Sequence, residues 1–189
     1  MCVSPPTVPM PPTPPADEVE ARGALVLGVG NVLMSDEGIG VLAAEALLER
    51  VPIGVRVLTG GAIGQALLPE VEVADRLLVL DCIDAGREPG TVIRIEGRDL
   101  PSRTRPVVSP HELSVGDLIA MAELHGGAPA EIVVLGIQPG LVAPGMEPSP
   151  QVAAALPRLV EAALEVLEGW TGQGRTLPRG GAQRPGPDL

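Results

Sequence analysis

The chain has 189 residues, 24 acidic against 13 basic side chains for a formal net charge of −11, and 45% hydrophobic content, which fits one globular domain and excludes a wholly disordered chain or a collagen-like fibre. No apolar run approaches the roughly 18 uncharged residues of a membrane-spanning helix. Every basic residue is Arg, excluding Lys Schiff-base and P-loop lysine chemistry, and Trp170 is the sole aromatic, so an acidic, aromatic-poor chain disfavours nucleic acid and anionic membranes as partners.

The first 15 residues contain seven prolines and neither a basic leader nor a continuous apolar stretch, so residues 1–22 are expected to be a disordered tail on a cytoplasmic protein. Cys2 falls in that tail and Cys82 in the body, which fits a reducing compartment better than a disulfide framework. The globular domain is expected over 23–170. Its first strand is ALVLGV (24–29), apolar on both faces as a central parallel strand should be. A glycine turn follows, then a helix from Glu37 to Val51 with Ile39, Leu42, Ala43, Ala46 and Leu47 on one face. Next come a strand VRVLT (55–59), a helical stretch near 63–73, the strand RLLVLDC (76–82), a strand TVIRIE (91–96) and a long loop over 97–108.

The segment 109–124 opens as a capping box, with Ser109 at the N-cap, Pro110 at the first helical position and Glu112 three residues after the cap. EIVVLGI (131–137) supplies a fifth strand, and a last helix starts at Ser149 and Pro150, with Pro157 expected to kink it or delay its start. Residues 171–189, rich in Gly, Pro and polar residues, are expected to be a second disordered tail. Short strands alternating with helical periods predict a three-layer α/β/α sandwich around a mainly parallel five-stranded sheet.

Three places could carry chemistry. GVGNVLMSDEGIG (28–40) is a glycine turn between strand and helix, but it is not a dinucleotide fingerprint. Leu33 stands where the third glycine belongs, and the second strand ends in Thr59 rather than a ribose-binding acid. Asp36 and Glu37 in that turn can also be read simply as acids offsetting a helix dipole. Asp81 directly follows LLVL, where the carboxyl end of a parallel strand opens to a ligand crevice, although an Asp there could equally cap a turn. Its neighbour Cys82 reads as a small buried hydrophobe, and a Cys82–His111 nucleophilic pair is weakly supported. His111 lies near the start of a capped helix, where the dipole keeps an imidazole neutral and able to ligate metal; packing in the turn is its plain alternative. His125, at a helix end beside two glycines, is assigned no role. Glu37, Asp81 and His111 all come from strand-to-helix connections, and two carboxylates with an imidazole suit a divalent ion such as Ni, Zn, Mn or Fe.

Taken in order, GVGNVLMSDEGIG, LLVLDCIDAG, SPHEL and LGIQP resemble the hydrogenase maturation endopeptidase family, over about residues 23–168. The resemblance implies a peptidase that removes a C-terminal extension from the large-subunit precursor of a nickel-iron hydrogenase after nickel insertion. It implies that Glu37, Asp81 and His111 contact a nickel carried by that precursor on its own cysteines, with Asp81 or Glu37 available for proton transfer in hydrolysis. Gly28, Gly30 and Asn31 would shape the turn that aims Glu37, and Gly60 and Gly61 would admit substrate backbone. One departure stands out: many relatives end the second strand in an aspartate, and this chain has Thr59 in LTGGAIG. A rival reading is therefore a non-catalytic metal- or precursor-binding module, and another is a peptidase on the same scaffold acting on a different protein.

Overall fold

The computed structural model describes residues 23–61, 65–97 and 115–172. Five strands, β1 (Ala24–Val29), β2 (Arg56–Gly61), β3 (Arg76–Cys82), β4 (Val92–Glu96) and β5 (Glu131–Ile137), form one sheet in the order β2-β1-β3-β5-β4. The first three and β5 are parallel, and β4 runs antiparallel along β5. Connection length accounts for that reversal. Only residues 83–91 separate β3 from β4, fewer than the dozen or so that a parallel crossover needs, so the chain turns back at the edge it has just reached.

Helices α1 (Ile39–Leu47) and α4 (Pro150–Gly172) cover one face of the sheet, and α2 (Leu68–Glu72) and α3 (Val115–Leu124) the other. Alternation along each strand sorts the core: Val26, Leu78, Leu80 and Ile137 pack under α1 and α4, while Leu25, Leu27, Val79 and Val134 pack under α2 and α3. The central strands are buried on both faces, which is why they read as unbroken apolar runs. The largest fully buried side chains are all Leu and Ile, as the absence of Phe and Tyr requires. This is the expected α/β/α sandwich with a mainly parallel five-stranded sheet.

Several boundaries differ from expectation. The helix expected from Glu37 begins as a 3-10 turn, Ser35–Gly38, and becomes α-helical only at Ile39. Its buried face includes Gly40 and Ala44 instead of Ala46, which is exposed. The cause is close approach: a Cβ on Gly40 would collide with the carbonyl oxygens of Leu80 and Val29, so the helix sinks onto the sheet along its smallest residues. β2 runs past Thr59 to Gly61, and the helical stretch near 63–73 is a 3-10 turn, Gln65–Leu67, followed by the short α2. Pro157 does not delay α4, which starts at Pro150. α4 runs on to Gly172, two residues into the expected second tail, while the capping box at 109–112 and residues 1–22 and 173–189 lie outside the described residues. No helix among the described residues is long and apolar enough to cross a membrane.

Gly40→Ala is expected to destabilise the fold by about 2–3 kcal/mol through overpacking. Gly169→Ala, in α4 with open space around its Cα, is expected to stabilise it by about 0.5–1 kcal/mol. Thermal and denaturant unfolding of the two variants checks the contrast; equal effects would contradict this packing of α1.

Candidate functional site

The carboxyl ends of β1 and β3 deliver the residues of interest to one edge of the sheet. At the end of β1 the backbone enters the left-handed region at Gly30 (φ 129°), where a Cβ would fall on the Glu37 carbonyl oxygen. Asn31 Oδ1 accepts a hydrogen bond from the Leu33 amide at 3.0 Å, closing the turn. Met34 then pairs with Gly145 in an isolated parallel bridge, and Ser35 adopts φ 52°, the only positive φ among the described non-glycine residues. Ser35 is buried; its amide donates to Gly145 O at 2.8 Å and its Oγ to Ala143 O at 3.0 Å.

Asp36 is fully buried and does something the helix-dipole reading does not anticipate. Its carboxylate accepts hydrogen bonds from the amides of Gly140 (2.8 Å), Leu141 (2.7 Å) and Ser149 (2.5 Å) and from Ser149 Oγ (2.9 Å). Burial pushes its pKa up, but the bonds from Ser149, Leu141 and Gly140 outweigh that and hold it below the usual carboxylate value. The group is therefore an ionised structural anchor, correcting its reading as a dipole-offsetting acid.

Glu37 follows, half-buried in the same 3-10 turn, with its amide bonded to Met34 O. That turn packs against β3. Asp81 is the penultimate residue of β3, half-buried, in register with Gly136 on β5; its Oδ1 accepts the Cys82 amide at 2.7 Å. By alternation it belongs to the α2/α3 face, whereas Cys82 packs in the cluster under α1 and α4 as the small buried hydrophobe expected. Two of the three predicted site residues thus reach one edge on adjoining elements. His111 lies outside the described residues, and among those described no three His, Cys, Asp or Glu side chains form a metal-sized group. His125 is exposed and pairs through Nδ1 with Glu72 Oε1 at 2.5 Å, away from that edge at the α3–β5 connection. Thr59 is exposed on β2 in register with Gly28, so it stands beside the glycine turn.

Gln138, buried just after β5, is a second residue whose role the sequence reading missed. Its Oε1 accepts the amides of Ala85 (2.8 Å) and Arg87 (3.0 Å), and its Nε2 donates to Asp84 Oδ1 at 3.0 Å. It thereby holds the loop that leaves Asp81. The only sequence signal was its place in LGIQP.

A family model described as hydrogenase maturation protease matches residues 41–166. The chain is 35% identical to hydrogenase expression/formation protein HupD of Rhizobium leguminosarum bv. viciae, over 95% of this chain and 89% of that protein. It is 34% identical to the hydrogenase 2 maturation protease of Escherichia coli, over 76% of this chain and 89% of that protein. The solved structure of the hydrogenase maturating endopeptidase HybD from E. coli superposes with a TM-score of 0.71 at 33% identity, over 77% of this chain and 92% of that one.

Asp36→Asn is expected to cost about 2–3 kcal/mol, because an amide cannot accept every bond that the carboxylate does. The folded-state pKa is lowered, so the contribution is present above the unfolded value near 3.8 and is lost as pH falls through the folded one. Unfolding from pH 7 down to pH 2 should show the gap between wild type and variant narrowing below about pH 4. A gap that stays constant over that range would contradict an ionised Asp36.

Proposed function

The chain belongs to the hydrogenase maturation protease family and is a peptidase, and from that premise we propose that it removes a C-terminal extension from a hydrogenase large-subunit precursor once nickel has been inserted. The observation that carries this reading is the pair of carboxylates, Glu37 and Asp81, on a 3-10 turn and a strand end packed against each other at the carboxyl edge of the sheet. Such an edge is open to a ligand, and oxygen donors suit a borderline ion. Nickel is here part of the substrate, held by the precursor's own cysteines. Cys82 fits that division of labour, because it is buried in the core and among the described residues the donors at that edge are carboxylates.

In this reading Glu37 and Asp81, with His111, meet the metal-loaded end of the precursor and so distinguish it from an unloaded one. Peptide hydrolysis also needs a proton acceptor for water, and a carboxylate at the scissile bond supplies one. Asp81 and Glu37 are the groups available for that step. Gly30 and Asn31 set the turn that carries Glu37, and Gln138 holds the loop leaving Asp81. The protein would meet its precursor in the cytoplasm, where an unprocessed subunit is made.

Glu37→Gln, Asp81→Asn and His111→Ala are each expected to slow cleavage of the nickel-loaded precursor by about 100-fold or more. Stability should stay within about 1 kcal/mol of wild type for the half-buried Glu37 and Asp81 variants. Cleavage read from the mass of the precursor, alongside unfolding, checks this; unimpaired cleavage by either carboxylate variant would contradict the reading. Thr59→Asp, at its exposed position, is expected to preserve or raise turnover in the same assay. A clear fall would show that threonine suits this chain's own substrate.

A further inference from the structure

Two segments far apart in sequence, 31–35 and 140–146, are joined beside Glu37 by the Met34–Gly145 bridge, the Ser35 hydroxyl and the Asp36 carboxylate. Most of their exposed side chains are apolar. Val32, Leu33 (58% exposed), Leu141, Val142 and Met146 (75% exposed) stand in solvent. Neither 31–35 nor 138–146 contains a charged residue, although Glu37 and the exposed Glu147 flank them, in a chain whose net charge is −11. Exposed apolar groups on a loose loop would fold inward. Here a buried carboxylate with four bonds and a serine at positive φ hold them outward. Fixed exposed apolar surface of this kind marks a contact site, and holding it rigid removes ordering entropy from binding.

We propose that the Ser35–Asp36 turn is a positioning element, which preforms an uncharged apolar ledge of Leu33, Leu141, Val142 and Met146 next to Glu37 to seat an uncharged apolar segment of the precursor. The ledge favours such an occupant: a charged segment would lose hydration against its apolar side chains, and an acidic one would also meet like charge at Glu37 and the exposed Glu147. The inference rests on the reading of the site as one that acts on the precursor.

The test compares wild type, Ser35→Ala, Ser149→Ala and the double variant Leu141→Ser/Met146→Ser. Binding of the nickel-loaded precursor is measured as Kd, cleavage as KM and kcat, and loop order as amide exchange at Gly140, Leu141 and Ser149. The double variant changes exposed side chains, so it should fold as wild type and raise Kd and KM about tenfold with kcat within about twofold. Each serine variant should lose amide protection in the loop and raise Kd and KM about three- to tenfold. Unchanged Kd and KM in the double variant would overturn the proposal. So would serine variants that lose kcat in step with lost folded protein while KM holds, since that is the mark of a merely structural clamp. If wild type binds the precursor without cutting it, the functional reading fails, yet the Kd values still decide for or against the ledge; no binding by wild type overturns both.

Discussion

A carboxylate taken out of water is tolerated only where hydrogen-bond donors replace its hydration, and for Asp36 those donors are the amides of Gly140, Leu141 and Ser149 and the Ser149 hydroxyl. Satisfying that group fixes the path of residues 140–149. The Ser149 backbone carbonyl also accepts the Ala153 amide at the start of α4, so the Asp36 side chain, through Ser149, ties the turn before α1 to the entry of α4. Those helices form a single layer under the sheet, and the same tie sets the backbone that carries Glu37.

Gln138 does comparable work a few residues earlier in the chain. Its side-chain amide organises the loop after Asp81, and its backbone bonds to Gly90 and Thr91 settle the approach to β4. The stretch after β5 therefore holds two other connections in place, the one bearing Glu37 and the one leaving Asp81. Two carboxylates from distant parts of the chain can thus share an edge without a dedicated domain around them. The arrangement is that of a parallel α/β sheet, in which strand ends present side chains and loops aim them.

Some of this was legible in the sequence. The strands at 76–82 and 131–137 could be read to the residue, because burial on both faces leaves an uninterrupted apolar run with sharp polar ends. β2 begins one residue later than its apolar run, at Arg56, and ends two beyond it, at Gly61, since TGG carries no apolar signal although its backbone continues the ladder with β1. On α1 hydrophobicity alone favours Ala46, which is exposed, whereas close approach to the sheet buries Gly40 over the carbonyl oxygens of Leu80 and Val29 and Ala44 over Gly28. Glu37 and Asp81 stood out by position, at the turn after β1 and the end of β3. Asp36 did not, because its partners are 104 to 113 residues away and nothing local separates a clamp from an acid in a first helical turn.

On the reading we propose, this peptidase acts on a precursor only after nickel has been installed. The most direct measurement mixes the protein with a hydrogenase large-subunit precursor, with and without bound nickel, and follows intact masses over time. The account predicts loss of a C-terminal peptide from the loaded form alone. Equal cleavage of both forms, or full mass retained by both, would contradict it.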